Sequence, residues 1–250
     1  MSNRRNELVD AQDGRAMFGA TPEPLPAAFL SSFRADLARY LPPEKRGSRV
    51  AALRAFLAVE GLWALAVYRL GRWALGARAQ PPVRRWERAL AAAVWPLFRA
   101  AEAFVALLVD IRFDVRAEIG PGFYVGHFKS IYVGPGVRIG RECNIGQMCF
   151  VGAAGRGFAP GTPVIGDRVY LGVGCKVLGP VKVGNDVAIG ANAVVLESVP
   201  DRAVVVGNPA RVVSDKGSVD FISIFQEYPT ASPTPPVVEP PRVNAPPTEG

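Results

Sequence analysis

Histidine is almost missing from this chain and cysteine is scarce: 250 residues hold one His and three Cys. That excludes a disulfide-built secreted scaffold and a zinc centre assembled from several imidazoles. Long hydrophobic runs are missing too. The longest uninterrupted apolar stretches, 61–68 and 89–98, fall short of the roughly 18 residues that a membrane-spanning helix needs. The chain opens with Arg4, Arg5, Glu7, Asp10 and Asp13, and no apolar stretch follows within signal-peptide distance, so a cytoplasmic location is expected. What is present is 49% apolar with 26 Gly and 23 Pro, enough for one large domain or two modest ones and inconsistent with a collagen-like or wholly disordered chain.

The net charge of +7 lies in one part of the chain. Residues 1–109 hold 16 Lys and Arg against 9 Asp and Glu, whereas residues 110–250 hold 13 of each sign. The arginines are scattered among Trp, Leu and Ala and form no nucleic-acid motif, so no nucleic-acid partner is expected.

Four regions follow from composition: a disordered arm over 1–27, a helical amino-terminal region over 28–110, a repeat domain over 111–213 and a Pro-rich disordered tail over 214–250. Helices are expected over 29–41, 49–78 and 84–109, with Pro42-Pro43 and Pro81-Pro82 as breaks. They pack on each other or on a second subunit. The alternative is peripheral membrane contact through Trp63, Trp73, Trp86 and Trp95 with nearby arginines, which would hold the protein at the inner membrane face. A further short element is expected to dock within 218–228.

From Ile119 to Val195 an aliphatic residue recurs twelve times, and apart from two longer gaps every step is six residues. Glycine follows ten of the twelve, where composition alone predicts about one. One aliphatic and one glycine per six residues fit a short strand and a tight turn, the glycine relieving crowding or supplying backbone freedom at a corner. Three such units close a triangular coil, and stacked coils pair strand to strand in parallel around a continuous interior, so the fold class is mainly a β solenoid preceded by α-helices. The fourth residue after each aliphatic also points inward. Cys143, Cys149 and Cys175 occupy such positions and are expected as core residues.

Two gaps break the period, and functional loops emerge where a regular scaffold is interrupted. Val125 to Val133 is a step of eight, and this loop holds His127, the single histidine. Val151 to Ile165 is a step of 14, through a Gly-rich stretch able to rest against a ligand. Imidazole is suited to taking a hydroxyl proton near neutral pH.

The stretches Ile119-Gly120-Pro121-Gly122-Phe123-Tyr124-Val125-Gly126-His127, Asn144-Ile145-Gly146-Gln147, Pro163-Val164-Ile165-Gly166-Asp167, Ile189-Gly190-Ala191-Asn192-Ala193-Val194-Val195 and Gly207-Asn208-Pro209-Ala210-Arg211-Val212-Val213 resemble the hexapeptide-repeat acyltransferases, serine acetyltransferase and its relatives in particular. The resemblance covers about 113–213. It implies a left-handed parallel β-helix, acetyl-CoA as co-substrate with no metal, and a homotrimer or a multiple of trimers. It implies His127 as general base toward an acceptor hydroxyl. It also implies a pantetheine arm lying between two solenoids against Gly152, Ala153, Gly172, Val173 and Ala191, with Lys176 or Arg211 as candidates for the CoA phosphates.

Three departures bear on the acceptor. The family's orienting aspartate, 15 residues before the base, is replaced by Arg112, flanked by Asp110 and Asp114. Asp114 extends the repeat one unit upstream and is the favoured orienting carboxylate, with Asp110 as its rival. Gly126 stands where the family has an aspartate before the base, and Gly161-Thr162 where it has an Arg-His pair. Groups to grip an amino acid are therefore mostly missing, and the acceptor stays open between serine, a small alcohol and a sugar hydroxyl on a polysaccharide precursor. Two other classes compete. A solenoid carbonic anhydrase needs several histidines and is excluded by having one; a non-catalytic trimeric scaffold would bind no CoA.

Overall fold

The structure is a computed structural model that describes residues 25–79, 85–126 and 129–222. Most of the arm and of the tail expected to be disordered, and the Pro81-Pro82 break, lie outside the described residues. Four helices come first: α1 (Leu25–Ala38), α2 (Arg49–Ala58), α3 (Glu60–Ala79) and α4 (Arg85–Val109). The helix expected over 49–78 is two helices, bent by 101° where Val59 takes an extended backbone. The bend lets α3 lie on the strands that follow. Gly61 sits so close to Val125 that a Cβ there would come within 2.9 Å of the valine Cβ.

Fifteen short strands follow among the described residues. Three parallel sheets form the sides of the solenoid. The first holds β1 (Ile111–Phe113), β4 (Ile131–Val133), β7 (Phe150–Gly152), β10 (Lys176–Leu178) and β13 (Val194–Val195) in that order. The second runs from β2 (Glu118–Ile119) through β5 (Arg138–Ile139) and β8 (Val164–Ile165) to β11 (Lys182–Val183). The third stacks β3 (Tyr124–Val125), β6 (Asn144–Ile145), β9 (Tyr170–Leu171), β12 (Ala188–Ile189) and β14 (Val204–Val206), closed by β15 (Arg211–Ser214), which pairs antiparallel to β14. The repeat aliphatics form the interior column, and Cys143, Cys149 and Cys175 are buried in it with free thiols, as their spacing required.

The corner glycines relieve crowding. At Gly120 a Cβ would lie 2.5 Å from the carbonyl oxygen of Gly140 on the next coil, and at Gly172 it would lie 2.5 Å from that of Ile189. Coils 4.7–4.9 Å apart leave no room for a side chain there. The left-handed backbone falls two residues later in the corner, on Gly122, Glu142, Arg168 and Asp186 in successive coils.

A solenoid needs its end coils capped, because the first strands present unpaired backbone groups. Here the helices supply side chains in place of strands. Tyr68 Oη accepts from the Ile119 N–H at 3.0 Å and donates to the Ala117 carbonyl at 2.9 Å. Tyr40 Oη accepts from the Val125 N–H at 2.8 Å, and Asp36 accepts from the Phe123 N–H at 2.8 Å. Arg69 pairs with Asp36 at 2.9 Å and donates to the carbonyls of Ile119 and Gly120, with both ionic side chains buried. Tyr68, Phe113 and Phe123 then meet edge to face, with successive ring centroids 5.9 Å apart. On the side of the solenoid, over the middle strands of the third sheet, the expected docking element is a single helical turn, α5 (Val219–Ile222), held by the Ser218 hydroxyl on the Arg168 carbonyl and by Phe221 stacked on Tyr170.

Three of the four tryptophans turn inward. Trp63 donates to the Phe56 carbonyl and packs on the main core, while Trp73 and Trp95 pack around Ala74 and Ala91. Trp86 is exposed.

Candidate active site

The first insertion leaves the third sheet at Val125 and enters the first sheet at Ile131. His127 and Phe128 lie outside the described residues. Both ends of their loop are fixed. The Gly126 N–H donates to the Ile145 carbonyl at 2.9 Å, and the Lys129 carbonyl accepts from the Met148 N–H at 3.0 Å. Lys129 and Ser130 take positive φ, 108° and 54°, values uncommon for side-chain-bearing residues. Ser130 is held by Asp110. Its Oδ2 accepts from the Ser130 N–H at 3.1 Å and from the hydroxyl at 2.7 Å. Asp110 is itself left-handed, φ 53°, where the chain turns from α4 into β1.

A cleft of about 300 Å³ opens beside this junction, lined by Asp110, Arg112, Ser130 and Tyr132 together with Ala106, Ile111 and Ile131. Parallel pairing puts Arg112, Tyr132, Phe150, Lys176 and Val194 in one row across the outer face of the first sheet. Tyr132 and Phe150 stack there with centroids 5.0 Å apart.

Asp114 stands elsewhere. The extended strand β1 separates it from Asp110 by four residues, about 13 Å along the strand. Both its oxygens are engaged by Arg116, which donates from its backbone N–H at 2.8 Å and from its guanidinium at 2.9 and 2.8 Å. Those bonds hold the Asp114 carboxyl below the usual carboxylate range. Asp114 and the loop of His127 therefore sit at opposite edges of the first sheet, and the carboxylate bonded to that loop is Asp110.

The candidate cofactor residues divide between the same two edges. Gly172, Val173 and Ala191 follow β9 and β12 on the edge where the His127 loop begins, and Val173 and Ala191 hold equivalent places on adjacent coils, two residues past Leu171 and Ile189. Gly152 ends β7 on the other edge and Ala153 follows it, opening the long insertion. Gly152 and Gly172 are buried, Val173 is half-buried, and Ala153 and Ala191 are exposed. Among the described residues the backbone N–H groups of Ala153, Val173 and Ala191 donate to no acceptor, which leaves three donors for a ligand. The cations proposed for phosphates have partners of their own: Lys176 donates to the Gly174 carbonyl at 2.7 Å, and Arg211 lies 3.6 Å from Glu197. No three metal-ligating side chains cluster among the described residues.

Sequence reasoning passed over Ser130, yet its signal was present. Positions 110 and 130 differ by 20, one 18-residue coil plus the two-residue insertion, which stacks one against the other.

Residues 162–197 match the bacterial transferase hexapeptide (six repeats) family. The chain is 38% identical over 133 residues to a serine acetyltransferase of Mycobacterium tuberculosis, covering 51% of this chain and 58% of that one. It is 34% identical over 116 residues to the serine acetyltransferase of Helicobacter pylori, covering 46% of this chain and 68% of that one. Among solved structures, a serine acetyltransferase in complex with CoA superposes with a TM-score of 0.56 at 25% identity over 75% of this chain and 70% of that one. The chain thus spans 58% of the length of the first curated relatives it matches. Its repeat, its stacked coils and these matches agree, and the chain belongs to the hexapeptide-repeat transferase family related to serine acetyltransferase.

Proposed function

We propose that this chain is an acetyl-CoA-dependent O-acetyltransferase that acts on a hydroxyl of a small molecule. The observation that carries the reading is the pairing, on one sheet, of a pinned loop bearing the lone histidine with three backbone donors free for a ligand. A thin, uncharged pantetheine arm is recognised by backbone groups beside small residues, which is what Ala153, Val173 and Ala191 offer. In the proposed step the His127 imidazole takes the proton of the acceptor hydroxyl, and the oxygen attacks the thioester carbonyl. The carbon–sulfur bond then breaks, and CoA leaves as the thiol with the proton returned by the imidazole.

Asp110 is the positioning residue in this reading. Asp114 was the carboxylate expected from the repeat phase, but its oxygens are occupied by Arg116 at the far edge, whereas Asp110 holds the loop through Ser130. The division of cofactor residues between the two edges supports a trimer or a multiple of one, in which one copy contributes Val173 and Ala191 to a cleft and its neighbour contributes Gly152 and Ala153. A cytoplasmic location, where acetyl-CoA is supplied, belongs to the same reading.

The curated relatives are named for serine. A second acceptor class, a sugar hydroxyl, is favoured by the stacked Tyr132–Phe150 pair beside the cleft, since aromatic side chains offer an apolar surface to a sugar ring. The test is release of free thiol from acetyl-CoA with serine, small alcohols and sugars as acceptors. His127→Ala is expected to lower turnover by about 10²- to 10⁴-fold and to leave acetyl-CoA affinity unchanged. A variant that retains most of its turnover removes His127 from the chemistry, and a protein that neither binds CoA nor releases thiol is a scaffold.

A further inference from the structure

Helix α4 is 25 residues long, and its most apolar window has a mean hydropathy of 1.7 with only 17% of that window buried. Its inner side is accounted for: Ala91, Phe98, Val105 and Val109 are buried against the rest of the protein. Its outer side is covered by nothing described. Trp86, Leu90, Leu97, Phe104, Leu107 and Leu108 are all exposed, Leu97 by 67% and Leu107 by 82%. At 100° per residue, these side chains and the alanines between them span roughly 160° of the helix circumference. A two-stranded coiled-coil seam is narrower than that. Helix α2 repeats the chemistry on a smaller scale, with Val50, Leu53 and Leu57 exposed.

The charges on these surfaces decide between occupants. On α4 the exposed charged residues are Arg85, Arg88 and Arg99, along one margin of the apolar arc, while Glu87 and Glu102 are half-buried toward the inner side. Arg99 pairs with Glu102 on its own helix. On α2 the charged residues are Arg49 and Arg54, both exposed. Two copies meeting through such a face would bring arginines together with no exposed carboxylate on either helix to receive them, which costs rather than favours association. Phosphate-bearing lipid headgroups supply that counter-charge, and the acyl boundary takes the apolar arc. Packing argues against spanning, since Ala91, Phe98, Val105 and Val109 along one side of α4 are buried against the protein and Val109 passes directly into β1 through Asp110.

We infer that α4, supported by α2, is a membrane-docking surface that lies flat in the interface of an anionic bilayer. Arg85 and Arg88 sit at headgroup level and the Leu97–Phe104 face enters the acyl boundary. The inference does not depend on the acetyltransferase reading, and its test involves no turnover. The full chain is mixed with phosphatidylcholine vesicles with and without phosphatidylglycerol, and the bound fraction is read by flotation. Binding is expected on the anionic vesicles and is expected to weaken as salt rises. Leu97→Asp with Phe104→Asp should lower it by about tenfold or more. Arg85→Gln with Arg88→Gln should lower it by about tenfold on anionic vesicles alone. These side chains are already in water, so unchanged thermal melting is expected, and Leu107→Asp provides a single-site version if the double variant fails to fold. Absence of binding to anionic vesicles overturns the inference, as does equal binding to both compositions. An oligomer that the Leu97→Asp, Phe104→Asp variant dissociates without any lipid overturns it as well and assigns the face to a contact between copies.

Discussion

The carboxylate of Asp110 receives both the backbone N–H and the hydroxyl of Ser130, at 3.1 and 2.7 Å, across one turn of the solenoid. Through that pair it closes the loop that carries His127. Asp110→Ala is therefore expected to lower kcat by about tenfold or more while changing the KM for acetyl-CoA by less than about twofold, with Ser130→Ala reproducing part of the loss. Asp110→Asn keeps one acceptor oxygen and should retain more activity than the alanine variant. Steady-state kinetics with Asp114→Asn as comparator decide the matter: a kcat loss confined to the Asp114 variant moves the positioning role to that residue.

Ala191 is exposed in the column that also holds Val173, beside free backbone donors. Ala191→Glu places a charged side chain against the proposed pantetheine path. Its expected effect is a rise of about tenfold or more in the KM for acetyl-CoA, with kcat at saturation much less changed. An unaltered KM would take Ala191 out of the cofactor site.

Asp36 and Arg69 form a buried ion pair whose members also hold the Phe123 N–H and the carbonyls of Ile119 and Gly120. Asp36→Ala strands a buried guanidinium and leaves an edge N–H without its acceptor. A loss of about 3–5 kcal/mol in denaturant unfolding is expected. The double variant Asp36→Leu, Arg69→Met should recover only part of it, because the backbone groups of the first coil stay uncapped. Full recovery would show that the pair does not cap the coil.

Burial pushes the Cys143 thiol up to about 12, and Cys149 and Cys175, 3.6 Å apart at sulfur, are equally enclosed. None of the three free thiols should react with a water-soluble disulfide reagent in the native protein, and all three should titrate after denaturation. The sign of the pH effect follows. The folded state keeps the Cys143 proton while the unfolded chain releases it above its ordinary value of 9.0, so this thiol lowers stability as pH rises past that value. Rapid labelling of the native protein would contradict its burial.

Periodicity in the sequence determined the solenoid by itself. A six-residue repeat of aliphatic and glycine is satisfied by stacked coils in which every aliphatic enters a shared column, and Cys143, Cys149 and Cys175 fell in that column because spacing alone sets which side chains point inward. The two places where the repeat fails were equally visible, since an insertion is a count of residues. Three things were decided only by tertiary structure. Whether the corner glycines serve backbone freedom or close approach depends on the next coil, and the Gly140 carbonyl above Gly120 settles it in favour of approach. Which carboxylate reaches the His127 loop depends on a partner one coil away, because Arg116 engages Asp114 and Ser130 engages Asp110. The composition of the helices showed only that they were apolar. Which of their faces stayed in water was fixed when Tyr68, Arg69 and Phe98 were drawn inward to cap and cover the first coil, leaving Leu97 and Leu107 outside. Spacing along a chain determines contacts that recur every coil; contacts made once, between elements distant in sequence, are determined by packing.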